Sequence, residues 1–175
     1  MDQSNENKQI NAAIRLACQS KFGVLDSNFL CQSVGVLSLP APMTAKIGDS
    51  VEQVVRMIAS NRTGCVVIVN ESGKLAGILS ERDCVMKLLD WEKAHAKEPI
   101  EKYMTRDPVA QQPDCTIAFA LHLMSQGGFR HLPIVDAHNH PIALLSVKDV
   151  MDHIVQCFTD DLLNFDPEVL LPDTL

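Results

Sequence analysis

The chain lacks most of what would mark it as an enzyme, a nucleic-acid binder or a membrane protein. Its 175 residues contain no GxSxG, Walker or HExxH pattern, so the short signatures of a nucleophile elbow, a phosphate loop and a zinc protease are missing. No Lys/Arg cluster appears, and the formal net charge of −7 opposes the basic face that nucleic acid requires. No apolar run approaches the roughly 20 residues that cross a bilayer. The opening segment from Met1 to Asn7 is polar and has no signal-peptide apolar core. None of the six cysteines forms a CxxC pair. Cys65 falls in an apolar run and Cys84 in a helical pattern, so both read as buried free thiols of a reducing compartment. A cytoplasmic protein without nucleic-acid or membrane partners is the expectation.

Two weaker candidates for chemistry are also set aside. His138-Asn139-His140 lies in a predicted turn, which reads as a solvated turn and not a metal site. His122 and His153 read as ordinary helix residues. No catalytic residue is assigned, no metal ligand is assigned, and the chain is expected not to be an enzyme.

What is present is a globular composition, 46% apolar and 21% charged, and an internal repeat. A chain of this length buries about 68–70% of its unfolded surface and needs no disulfide or metal staple. Val51–Ile58 aligns with Ile117–Met124 as an amphipathic helix, preceded by Ser50 and Thr116 as N-caps. Cys65–Val69 aligns with His131–Val135, and Leu75–Leu79 with Pro141–Leu145, as buried strands. Turns at Asn70–Gly73 and Asp136–Asn139 separate them. Ser80 to Ser146 and Asp83 to Asp149 give the same offset of 66 residues, and Pro42 matches Pro108 at that offset. Each copy therefore reads β-α-β-β-α. The expected organisation is a helical extension over 1–33 (Ile10, Ile14 and Ala17 on one face), a first motif over 34–90, a linker over 91–99, a second motif over 100–157, and an acidic tail over 158–175.

These residues resemble a tandem pair of CBS domains, the module named after cystathionine β-synthase. The resemblance rests on Gly77-Ile78-Leu79-Ser80-Glu81-Arg82-Asp83, Ala143-Leu144-Leu145-Ser146-Val147-Lys148-Asp149, Arg130-His131-Leu132-Pro133-Ile134-Val135-Asp136, and the lead-in Tyr103-Met104-Thr105-Arg106-Asp107-Pro108. It covers roughly 34–155. It implies an α/β (α+β) fold of two pseudo-symmetric motifs packed sheet to sheet, often paired into a homodimer. It also implies adenosyl ligands, such as AMP, ADP, ATP or S-adenosylmethionine, with or without magnesium, in clefts between the halves.

The chemistry of the repeated elements suits such a ligand. A fixed carboxylate can accept hydrogen bonds from both hydroxyls of a ribose, which would be the role of Asp83 and Asp149. The hydroxyls of Ser80 and Ser146, at strand-to-helix junctions, could meet a phosphate together with first-turn N–H groups. The same Ser-x-x-Asp element is also a helix capping box, and the two roles do not exclude each other. Val66-Val67 and Leu132-Pro133 would supply an apolar slot for adenine, with Pro133 at an edge where no ladder bond is needed. By resemblance Arg130 and His131 would face the phosphates, and Thr44, Val109 and Ala110 would line the clefts. Arg82 and Lys148 occupy matching first-turn positions, where a cation opposes the helix dipole unless an anion is near. The copies are unequal. Thr63-Gly64-Cys65 stands where Phe129-Arg130-His131 stands in the second copy, and Gly77 stands where the second has Ala143. Stronger phosphate binding around Asp149 is the expectation.

The function implied is a regulatory adenine-nucleotide sensor that changes packing or dimer geometry and acts on an effector protein. A ligand-free dimerisation or docking scaffold, and an S-adenosylmethionine module, are the alternatives. A small nucleotide-acting enzyme ranks behind both.

Overall fold

Ser50 and Thr116 start equivalent helices in the same way. In the computed structural model the Gln53 N–H donates to Ser50 Oγ at 3.3 Å and the Phe119 N–H to Thr116 Oγ1 at 3.3 Å. Gln53 returns the bond by accepting the Ser50 N–H at 2.9 Å, which completes a capping box. The structure describes residues 27–88 and 95–163. The expected leading helix through Ile10, Ile14 and Ala17, the start of the linker and the end of the acidic tail lie outside them.

The elements run α1 (Ser27–Cys31), β1 (Thr44–Lys46), α2 (Val51–Asn61), β2 (Cys65–Val69), β3 (Leu75–Ser80), α3 (Glu81–Lys87), β4 (Thr105–Arg106), α4 (Ile117–Gly127), β5 (His131–Val135), β6 (Pro141–Ser146) and α5 (Val147–Leu163), with short 3₁₀ turns at Val34–Val36 and Ile100–Lys102. One sheet has the order β1-β2-β3-β4, and the other pairs β5 with β6. The fold is the expected α+β pair of repeats. The strand registers repeat the sequence offset: Cys65 opposes Ser80 and His131 opposes Ser146. Even the turns correspond. Gly73 and Asn139 both have positive φ, 76° and 67°, a conformation open to glycine and tolerated by asparagine.

The halves interlock by exchanging their lead-in segments. The Val34 N–H donates to Cys115 O at 2.7 Å, and its counterpart Ile100 N–H donates to Asp49 O at 2.8 Å. The bridges Ser33–Thr116 and Ser50–Pro99 repeat the exchange. Packing follows the backbone. Ile100 and Met104, which precede the second repeat's strands and helices, sit in the core of the first with Val51, Val54, Val66, Ile68 and Leu79. Val34 and Leu37 join the second core with Ile117, Leu132, Ile134 and Leu145. A third cluster of Val67, Leu75 and Val135, with Ala110 and Leu144 against it, joins the two sheets.

Two departures from strict symmetry follow, the first from the exchange and the second from a proline. A Cβ on Gly77 would lie 2.4 Å from Met104 Sδ and 3.0 Å from Thr105 O. Gly77 therefore makes room for a lead-in methionine. The second difference is a missing strand. Val67 donates its N–H to Met43 O at 2.9 Å, holding β1 beside β2. Pro133, at the matching position, has no N–H to give, and only an isolated Gln111–Ile134 bridge remains where β1 has its counterpart.

The cysteines differ in part from expectation. Cys65 and Cys115 are buried free thiols, but free Cys84 is only half-buried. Burial, then the charge of Asp83, push the Cys65 thiol up to about 12 and Cys84 to about 11. Cys31 is disulfide-bonded, so the thiol argument for a reducing compartment does not extend to it. Among the described residues no helix is long and apolar enough to cross a membrane.

Because Ile100 is fully buried in the first repeat's core, Ile100→Ala should cost about 2–5 kcal/mol of stability. Urea unfolding monitored by circular dichroism checks this. A loss below about 1 kcal/mol would mean that the exchanged lead-in carries little of the packing.

Candidate nucleotide site

Each strand-to-helix junction ends in a carboxylate that caps its own helix. At the first, the Ser80 N–H and O–H both donate to Asp83 Oδ2, at 3.0 and 2.6 Å, while the Asp83 N–H donates to Ser80 Oγ at 3.2 Å. At the second, Ser146 donates to Asp149 Oδ2 at 2.7 and 2.6 Å, and the Asp149 N–H returns at 3.2 Å. Both serine hydroxyl hydrogens are thus committed to the aspartates. Two neighbouring backbone donors are also occupied: Glu81 N–H bonds Gly64 O at 3.0 Å, and Val147 N–H bonds Arg130 O at 3.1 Å. In this state the junctions hold their carboxylates rigidly and offer no serine proton to a phosphate.

Two clefts open beside these junctions, and the lead-in exchange shapes both. The Asp83 cleft, about 510 Å³, combines Ile78, Ser80, Arg82 and Asp83 with Thr105, Asp107, Pro108 and Val109 from the second lead-in and Gly127–His131 from the end of α4 to the start of β5. The Asp149 cleft, about 520 Å³, combines Leu144, Ser146, Val147, Lys148 and Asp149 with Pro40, Ala41, Pro42 and Met43 from the first lead-in. Arg62, Thr63, Gly64, Glu81, Arg130 and His131 complete it. Gly64, Arg130 and His131 belong to both clefts and form the wall between them. A Cβ on Gly64 would meet His131 Nε2 at 2.5 Å, so glycine is what lets the imidazole lie across the pseudo-twofold axis.

Of the residues singled out in sequence, Ser80, Arg82, Asp83 and Val109 meet in the Asp83 cleft, Ser146, Lys148 and Asp149 in the other, and Arg130 and His131 in both. Thr44, Val66, Ala110, Leu132 and Pro133 line neither. Val66, Val67 and Leu132 have no exposed surface; they are core beneath the clefts and offer no open slot. The apolar walls are instead Ile78, Pro108, Val109 and Phe129 on one side and Pro42, Met43 and Leu144 on the other. Each aspartate faces the lead-in of the other repeat, while Arg130 and His131, expected beside Asp149, border both clefts.

Electrostatically the clefts differ. Arg62 ends α2 with φ 50° where the second repeat has Gly128. A non-glycine residue there bears a strain that tends to accompany function, and this one puts a guanidinium at the Asp149 cleft. Asp107, with φ 44°, adds a second carboxylate to the Asp83 cleft, as Glu81 does to the Asp149 cleft, so the difference between them lies in the cations. Arg62 and Asp107 were both missed in sequence, although the 66-residue offset sets Arg62 against Gly128 and Asp107 against Ala41. Two first-turn cations are already engaged: Arg82 Nη1 donates to Gly128 O at 3.3 Å, and Lys148 is paired with Asp152. His131 is held below the ordinary histidine value of 6.5 by burial and then by Arg130, against the opposing pull of Glu81 and Asp149. It is a neutral partition at pH 7, and Arg62 and Arg130 carry the positive charge.

The histidines set aside in sequence are occupied structurally. His153 stacks on Phe29 at 5.4 Å and His122 on Phe119 at 6.4 Å. His140 lies 3.2 Å from both Asp136 Oδ2 and Ser72 O, tying the two turns together. Among the described residues no group of three or more His, Cys, Asp or Glu could hold a metal ion.

Comparison with known proteins decides the family, because the CBS domain matches twice, over 34–90 and 100–156. The chain belongs to the CBS domain family. This CBS pair is 31% identical over 116 residues to the CBS domain-containing protein CBSCBSPB5 of Arabidopsis thaliana, covering 66% of this chain but spanning only 21% of that protein. Its fold matches CBSX2 in complex with AMP, with a TM-score of 0.62, 20% identity, and coverage of 71% of this chain and 97% of the other. It also matches the CBS domain pair of MJ0100 in complex with 5′-methylthioadenosine and S-adenosyl-L-methionine, with a TM-score of 0.62, 24% identity, and coverage of 72% and 98%. At these identities the structural matches show the fold alone.

The unfolded chain takes up a proton on His131 before the folded protein does. Its contribution to stability is therefore complete above about pH 6.5 and is lost as pH falls toward the lower folded value. His131→Gln should flatten the decline in unfolding free energy between pH 7 and 5.5, measured by urea titration. An unchanged slope would show that the imidazole titrates as in the unfolded chain.

Proposed function

We propose that this CBS pair is a regulatory module that binds an adenine nucleotide, AMP, ADP or ATP, with the Asp149 cleft as the stronger site. One observation carries the reading: the Asp149 carboxylate is held by its helix cap with Oδ1 bonded to no described residue, in a cleft whose other walls bring Arg62 and Arg130. An oxygen with two open lone pairs suits the hydroxyls of a ribose, and arginines suit the phosphate beyond it. Pro42, Met43 and Leu144 supply the apolar surface for a base. The adenosyl ligands named with the structural neighbours fit the same chemistry.

The module performs no reaction in this reading. Cys65 and Cys84 are held far from thiolate by burial, and the site aspartates are engaged as caps. Ligand seated between residues of both repeats favours the packed state, and binding at 100 times the dissociation constant adds about 2.7 kcal/mol. Val85 on α3 and Met151 on α5 are 63% and 52% exposed at equivalent positions. Such apolar exposure supports a homodimer through these helices, whose geometry an effector protein would read.

Calorimetric titration with AMP, ADP, ATP and S-adenosylmethionine, alongside thermal unfolding, tests the reading. At least one adenine nucleotide should bind and raise the melting temperature. Asp149→Ala should weaken it more than Asp83→Ala does. No binding by any of the four would favour the ligand-free scaffold, and equal losses from the two substitutions would overturn the ranking of the clefts.

A further inference from the structure

The two aspartates are not equally available, and the difference lies in a residue that lines neither cleft. A carboxylate has about four lone-pair positions, two on each oxygen. At Asp149 the Ser146 N–H and O–H fill those of Oδ2, and Oδ1 has no donor among the described residues. At Asp83 the Ser80 donors fill Oδ2 in the same way, but Lys87 Nζ lies 2.7 Å from Oδ1. Asp149 can thus accept two further hydrogen bonds and Asp83 one.

Lys87 is well placed to stay there. It stands one turn after Asp83 on α3, and its Nζ also donates to Tyr103 O at 3.0 Å. Tyr103 belongs to the same lead-in as Thr105, Asp107 and Val109, which wall the Asp83 cleft. The ammonium therefore joins the carboxylate to the opposite wall. Burial alone would raise the Asp83 pKa, yet the bonds from Lys87 and Ser80 hold it below its ordinary value. At the 66-residue offset the counterpart of Lys87 is His153, which stacks on Phe29.

Resting on the nucleotide-binding reading, we propose that Lys87 is an internal competitor for the ribose. It occupies one hydroxyl position on Asp83, so that the Asp83 cleft accepts one ribose hydroxyl where the Asp149 cleft accepts two. The Asp149 cleft then discriminates ribose from 2′-deoxyribose, and the Asp83 cleft does not.

The test compares AMP with 2′-deoxy-AMP by calorimetry, taking the ratio of their dissociation constants. The two probes carry the same phosphate, so the ratio cancels the effect of removing a lysine charge. With Asp83→Ala, only the Asp149 cleft is intact, and 2′-deoxy-AMP should bind about three- to tenfold more weakly, the worth of one hydrogen bond. With Asp149→Ala, the ratio should stay within about twofold of unity. Adding Lys87→Met to Asp149→Ala should open the second position and raise the ratio to about three- to tenfold. The substitution removes a partly exposed i,i+4 ion pair, a contact of modest worth, so the fold should survive. Lys87→Ala repeats the test without a side chain that could cover the carboxylate. An unchanged ratio in both lysine variants would overturn the proposal and leave the nucleotide reading standing. AMP binding to neither cleft would overturn both.

Discussion

The reciprocal exchange of lead-in segments is the constraint on which the rest of the structure depends. Neither repeat closes its own core: the first needs Ile100 and Met104, and the second needs Val34 and Leu37. The backbone bonds from Val34 to Cys115 and from Ile100 to Asp49 fix the exchange at matching points. Burying these side chains is worth about 1.5–3 kcal/mol each, so the halves are joined by core packing and not by a surface contact. The same exchange builds the clefts, since each aspartate faces a lead-in that arrives from the other repeat. Anything bound there touches both halves. A ligand can therefore act on their relative packing, which is what a regulatory module requires.

Much of the fold was legible because it is local and repeated. The 3.6-residue periodicity of Val51–Ile58, the apolar runs at Cys65–Val69 and His131–Val135, and the caps at Ser50 and Thr116 each report on a single element. A constant offset then duplicates the report. What a linear pattern cannot carry is the pairing between repeats. Nothing in Pro40–Met43 says that it will lie beside Asp149, because that depends on which core accepts Val34 and Leu37. Arg62 was passed over because its place at a helix end has no side-chain signature; its alignment with Gly128 and its positive φ mark it.

The site expectations divide along the same line. Asp83 and Asp149 were identified from chemistry that belongs to one junction, and both lie in clefts. The proposed adenine slots came from apolarity alone, and apolarity does not separate a wall from a core. Val66 and Leu132 went inward, and the apolar cleft surfaces fell to Ile78 and Leu144 on the following strands together with residues of the exchanged lead-ins. The serines show a further limit. Their spacing to the aspartates serves equally for capping and for ligand binding, and in this structure their protons are directed to the caps. Capping nonetheless serves the site, because it holds each carboxylate in one orientation before any ligand arrives.

A crystal structure grown with saturating AMP is the most direct measurement of this account. It should place the ribose hydroxyls within hydrogen-bonding distance of Asp149 Oδ1, with the phosphate turned toward Arg62 and Arg130 and the base against residues of the exchanged lead-in. Clefts that remain empty at saturation, or a nucleotide bound away from Asp149, would contradict it.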